Sequence, residues 1–232
     1  MWNGKKKAIT FSFDDGVTQD IRLIEILNHY GLKGTFNLNS ALLGVPGNLE
    51  RNGRPISHNK VSVRDVRSIY AGHEIAVHTL SHPRLPLVDD ETVIYQVEGD
   101  RLALSELAGY EVVGMAYPGG GVNNDERVAE LIRKHTGVRY ARTITSTGTF
   151  TPEKDLYRFN PTVYYIEDCL DETVEQFLAA DAGLLYVWGH SYEMDAEYIS
   201  WEHFEEVCRR LAGHGDIFYG TNREVLLPDT DR

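Results

Sequence analysis

The sequence predicts an α/β fold in which seven or eight strand–helix units wrap a largely parallel sheet into a closed or nearly closed barrel. Three observations predict it. Short β-rich runs alternate with longer stretches of helical periodicity, the pattern of parallel strands joined by crossover helices. The 232 residues are 42% apolar and 25% charged, enough for a sizeable core and too balanced for wholesale disorder. The most polar strand exits fall where one end of a barrel would gather them.

The elements follow in order. Residues 8–13 read as a strand, with Ile9, Phe11 and Phe13 alternating. Residues 19–30 read as a helix with Ile21, Leu23, Ile24 and Leu27 on one face, stopped by Gly31. Residues 34–38 form the next strand. Residues 41–59, rich in Gly, Pro, Asn and Arg, read as a long irregular loop, and loops of that length in a compact domain are often functional. Residues 63–70 read as a short helix with Ser62 as N-cap and Gly72 beyond its end. Strands are expected at 74–78, 112–117, 140–144, 162–166, 184–188 and 216–219, and helices at 91–107, 125–135, 173–180 and 203–212. The length admits one large domain or two small ones, and no repeat or low-complexity segment divides it.

A formal net charge of −12 repels phosphate backbones and anionic surfaces, so nucleic acid and membranes are poor partners, whereas a neutral sugar feels little of this field. Cys169 and Cys208 are too few for a disulfide framework and are expected to be buried thiols. The N-terminus carries Lys5, Lys6 and Lys7 and then enters a strand. It has no long apolar signal region, and the run 8–13 is too short to span a bilayer, so a cytoplasmic location is expected.

Four strand exits concentrate the chemistry. The first is Phe13-Asp14-Asp15-Gly16. Adjacent carboxylates leave a strand in different directions, so one can bind a metal while the other faces substrate, although Asp-Gly is also common turn chemistry. The second carries His78 and His82, four apart, with Pro83 expected to hold His82 extended. Two imidazoles and one carboxylate make an open site for a catalytic divalent metal, zinc by default, with cobalt, nickel, iron or manganese also suited. The third exit is Ala116-Tyr117-Pro118-Gly119-Gly120-Gly121, and its glycines can simply make a tight turn. The fourth is Trp188-Gly189-His190-Ser191-Tyr192-Glu193. His190 can be a core histidine, a further ligand or a general acid. Trp188, Tyr117, Tyr192 and Trp201 can wall a sugar ring or acyl methyl, with core packing favoured for Trp201. Glu193 can meet a substrate hydroxyl or pair with a nearby cation.

These residues resemble the polysaccharide deacetylase family, the carbohydrate esterases with the nodulation-deacetylase homology domain. The first family motif is matched by Ser12-Phe13-Asp14-Asp15-Gly16, the second by His78-Thr79-Leu80-Ser81-His82, and the histidine of the last by His190. The resemblance covers nearly the whole chain and implies a single catalytic domain over 1–232. It implies a distorted (β/α) barrel of about seven parallel strands, with a metal on Asp15, His78 and His82. It further implies Asp14 as general base, His190 as general acid and the Gly119 N–H as oxyanion donor, with Pro118, Tyr117 and Trp188 beside the substrate.

The third motif departs: Ala116 stands where the family commonly has arginine, and Gly119 where it commonly has an aromatic. Arg158 or Arg142 is expected to supply the missing cation beside Asp14. No match to the family's fourth motif is found in 157–165. The expected reaction is removal of an acetyl group from an amino sugar or its polymer. A small non-sugar amide substrate and a decayed carbohydrate-binding site are the alternatives.

Overall fold

The computed structural model describes residues 2–227. Residue 1 and residues 228–232, the two ends of the expected 1–232 domain, lie outside the described residues. The fold grows from β1 (Lys7–Asp14), all of whose residues are buried. Its period of two sorts them. Ile9, Phe11 and Phe13 join the main apolar core under the helices, while Ala8 packs with Tyr140, Leu184 and Tyr186 on the other face. Continuing that alternation, Thr10, Ser12 and finally Asp14 look into the barrel.

From β1 the chain runs through α1 (Asp20–His29), β2 (Gly34–Leu38), the hairpin β3 (Asn48–Arg51) and β4 (Arg54–Ser57), α2 (Val66–Ile69) and β5 (Glu74–Val77). It continues through α3 (Asp90–Ala108), β6 (Gly114–Ala116), α4 (Glu126–His135), β7 (Tyr140–Arg142), β8 (Val163–Tyr164) and α5 (Leu170–Ala179). The last elements are β9 (Gly183–Gly189), α6 (Tyr192–Asp195), α7 (Trp201–Leu211), β10 (Ile217–Tyr219) and α8 (Asn222–Leu226). The principal sheet has the order β7-β6-β5-β2-β1-β9-β8, with every pairing parallel. β10 pairs with the start of β1, at Lys7–Ile9, and β2 with its end, from Phe11 to Asp14. β7 and β8 share no ladder. Between them Phe159 makes one parallel bridge to Arg142, so the barrel is distorted as expected.

Local chemistry sets the ends of the helices. Asp89 caps α3 by accepting from Thr92 N–H, and Gly109, at φ 80°, closes it in a conformation that suits glycine. Asp125 caps α4, Ser200 caps α7, and Thr221 with Glu224 forms a capping box on α8. Among the described residues no helix is long and apolar enough to cross a membrane.

Three expectations are corrected. The segment 41–59 is not an irregular loop throughout, because β3 and β4 pair antiparallel within it. Ser62 does not cap a helix: α2 starts only at Val66, and the Ser62 hydroxyl accepts from Arg64 N–H at 3.3 Å. Cys208 is buried as expected, but Cys169 is exposed, at the N-cap position of α5. Trp201 is a core residue, 7% exposed, with its indole N–H donating to Asp195 at 2.9 Å.

Candidate active site

Parallel register carries the ends of β1, β2, β5, β6, β7 and β9 to one face, where a pocket of about 670 Å³ opens. Asp14, Asp15, His78, His82 and His190 all line it. Asp15, Thr79 and His82 have φ of 82°, 67° and 63°, a left-handed region that costs a non-glycine residue on the order of 1–3 kcal/mol. Local bonds hold these turns. The Asn39 amide donates to the Thr79 carbonyl at 2.9 Å, and the Thr79 hydroxyl accepts from His82 N–H at 3.0 Å. Pro83 therefore does not leave His82 in the expected extended conformation. The proline disfavours the right-handed helical region for its predecessor, and the bond to Thr79 selects the left-handed one.

Asp15, His78 and His82 bring three ligand atoms within 4.8 Å of one another. Asp15 Oδ1 lies 3.7 Å from His82 Nε2 and 4.0 Å from His78 Nε2. His78 Nδ1 donates to the Ala116 carbonyl at 2.9 Å, which leaves the Nε2 lone pair facing the carboxylates. Burial pushes this imidazole down to about 4, so it is neutral at ordinary pH, as a ligand must be. One carboxylate oxygen and two neutral imidazoles with space beside them fit an open divalent site.

Two residues that sequence reasoning missed hold the other side of Asp15. His58 Nε2 donates to Asp15 Oδ2 at 3.2 Å, and Lys60 Nζ donates to the Asp15 carbonyl at 2.6 Å and lies 3.4 Å from Oδ1. Both follow β4: His58 belongs to the segment 41–59 expected as a long loop, and Lys60 comes directly after it. Burial opposes ionisation of Asp15, but the His58 hydrogen bond and the Lys60 charge hold its carboxyl well below the usual range.

Asp14 sits on the inner face with Arg142. Arg142 Nη2 lies 2.5 and 2.6 Å from the two Asp14 oxygens, its Nε donates to the Ser12 hydroxyl at 3.2 Å, and the guanidinium packs 4.6 Å over the Trp188 ring. Of the two expected cations, Arg142 is therefore the partner. Arg158 instead reaches Asn124 at 3.0 Å and Glu126 at 3.4 Å, because it belongs to a surface turn rather than a strand. Burial would raise the Asp14 carboxyl. Arg142, with His78 and His190, overcomes that and keeps it below the ordinary value.

His190 closes the opposite side. Its Nε2 is 3.9 Å from Asp14 Oδ2 and its Nδ1 is 3.2 Å from Glu193 Oε1. Glu193 also accepts from His190 N–H at 3.0 Å and from the Tyr164 hydroxyl. Burial disfavours the charged imidazole, yet Glu193 and Asp14 raise it to about 9. Glu193 thus pairs with a cation, one of the two roles expected for it.

Trp188, Tyr117 and Gly119 line the pocket, with Tyr164 stacked on Trp188 at 4.1 Å. The Tyr117 hydroxyl is committed to the Tyr157 carbonyl at 2.8 Å. Pro118, expected beside substrate, is buried and is not among the residues that line the pocket.

The sequence model of the family described as polysaccharide deacetylase matches residues 2–141. A peptidoglycan-N-acetylglucosamine deacetylase of Listeria monocytogenes is 27% identical over 129 residues, 54% of this chain and 24% of that protein. The chain thus spans about a quarter of the length of the curated relatives it matches. A family 4 carbohydrate esterase from Streptomyces lividans, solved with acetate, superposes with a TM-score of 0.59 at 14% identity, over 94% of this chain and 93% of that one. A CE4 family pseudoenzyme from Bacillus anthracis gives 0.55 at 16% identity, over 95% and 66%. At such identities these structures establish the shared fold alone.

Proposed function

The chain belongs to the polysaccharide deacetylase family, and from that premise we propose that it is a metal-dependent hydrolase that removes an acyl group from the nitrogen of an amino sugar. One observation carries the reading: Asp15, His78 and His82 converge within 4.8 Å of one another in the same pocket as a second carboxylate, Asp14, paired with Arg142, and a third histidine, His190, paired with Glu193. Active sites hold paired titratable groups whose environments push them apart in this way.

Asp15, His78 and His82 would hold the ion. Lewis acidity toward the amide carbonyl, and easier loss of a proton from water, are what a divalent metal supplies in such a site. Asp14 accepts the proton of the attacking water. Arg142 keeps Asp14 anionic and so makes it a weak base, adequate only for a water already acidified, which is a further reason for the site to need a metal. Gly119 lines the pocket, and its N–H is the donor assigned to the developing oxyanion. His190, held protonated by Glu193, delivers its Nε2 proton to the departing nitrogen. A carboxylate and a free amine result.

The test is metal content followed by acetate release from N-acetylglucosamine and its oligomers. About one divalent ion per chain, with release, supports the reading. Bound metal with release only from small non-sugar amides would move the substrate class. No metal and no release would leave a carbohydrate-binding role.

A further inference from the structure

The hairpin, with the residues that lead into and out of it, also builds a wall. Leu42, Val45, Pro46 and Leu49 line the pocket on the side of Asp15, and Val45 is 46% exposed. An apolar strip left uncovered inside a catalytic pocket is a place for ligand rather than for core. The wall is held in position. Gly44 and Lys60 N–H donate to the Val61 and Val45 carbonyls, at 2.9 and 3.0 Å. The tip is tied to the segment after α6 by Asn52 donating to the Ala196 carbonyl at 3.1 Å and by the Arg54–Glu197 ion pair at 2.5 Å. Beneath it Ile56 packs with Val17, Tyr192 and Ala196.

The hairpin side sets these four apolar residues beside Arg51, His58 and Lys60, whereas the side of His190 is walled by aromatic rings. In amide hydrolysis the oxygen of water bonds to the carbonyl carbon, the C–N bond breaks, and the nitrogen leaves with a proton. The proton donor must stand at the leaving nitrogen, so the amine portion lies by His190, among Trp188, Tyr164 and Tyr192. The acyl portion then points away from His190, past Asp15, towards the hairpin. A sugar ring suits the aromatic side, and an aliphatic chain suits the other.

We propose that the acyl group this protein removes is longer than acetyl: an aliphatic chain of several carbons that lies along Leu42, Val45, Pro46 and Leu49. This rests on the deacylase reading above. A buried methylene contributes enough to raise kcat/KM by about fourfold while the wall is being covered.

The experiment compares cobalt-loaded protein on glucosamines N-acylated with acetyl, butanoyl, hexanoyl and octanoyl groups, following release of free amine. The expected result is kcat/KM rising by roughly tenfold or more from acetyl to hexanoyl, with the hexanoyl-to-acetyl ratio collapsing towards one in the double variant Val45→Ser, Leu49→Ser. Cobalt absorption of that variant reports an intact site. Hydrolysis that is fastest for acetyl and falls with chain length overturns the proposal and leaves the deacylase reading standing. A ratio unchanged in a variant with an intact site overturns the wall as its cause. No amine from any member overturns both.

Discussion

Arg142, the last residue of β7, places Nη2 2.5 and 2.6 Å from the two carboxylate oxygens of Asp14, the last residue of β1, and both side chains are almost fully withdrawn from solvent. The relation restores a cation that the third family motif lacks at Ala116, from a different strand. It also makes Asp14 the only carboxylate of the pocket held directly by a guanidinium among the described residues.

Removing that guanidinium has a definite sign. Arg142→Met leaves Asp14 buried without its counter-charge, and breaking such a pair costs about 3–5 kcal/mol. Asp14 is depressed in the folded protein, so its ionised form stabilises the fold above the ordinary carboxylate range, and this is lost as pH falls through the depressed value. The variant should melt lower than wild type at pH 7, and the gap should narrow on acidification. Arg142→Lys should rescue only partly, because an ammonium cannot reproduce the planar contacts to Asp14 and Ser12. Equal melting of wild type and Met variant at pH 7 contradicts the pairing.

His190 should titrate far above an ordinary histidine. Burial alone would lower it, but Glu193 and Asp14 raise it to about 9. The charged form therefore stabilises the fold fully below about 6.5 and this is lost as pH rises through about 9. NMR of the metal-free protein should find the His190 ring changing near pH 9, and Glu193→Gln should bring the midpoint down towards neutrality. A wild-type midpoint near 6.5 would show that Glu193 does not hold the proton there.

His58 should matter to the metal without touching it. Its Nε2 binds Asp15 Oδ2, leaving Oδ1 towards His78 and His82. Loss of such a supporting contact commonly weakens a metal site by about 10–100-fold. His58→Ala should raise the cobalt dissociation constant by that factor, with His58→Gln between the two. Unchanged affinity in both variants removes the orienting role.

How far the sequence reached depended on how local each signal was. Asp14, Asp15, His78 and His82 were legible because they sit at strand exits within short motifs. Arg142 and Arg158 were not separated, yet alternation could have done it: Tyr140 and Arg142 share the inner face of β7, while Arg158 lies in a short 3-10 turn. The hairpin was hidden because β3 and β4 are mostly exposed, with Pro55 in the second strand and Asn52-Gly53 between them, a turn signal flanked by little apolar alternation. His58 and Lys60 gave no local signal, since only the folding of that hairpin onto Asp15 brings them into the site.

The central claim is that Asp14 takes the proton of a water attacking an amide at the metal cluster. Asp14→Asn keeps the size of the side chain and removes its basicity. Metal stoichiometry and turnover should be measured together on wild type and variant, using whichever N-acylated glucosamine the wild type cleaves fastest. The account predicts about one cobalt per chain in both, with turnover in the variant lower by about 10²–10⁴-fold. Near wild-type turnover from a metal-loaded Asp14→Asn protein would contradict it.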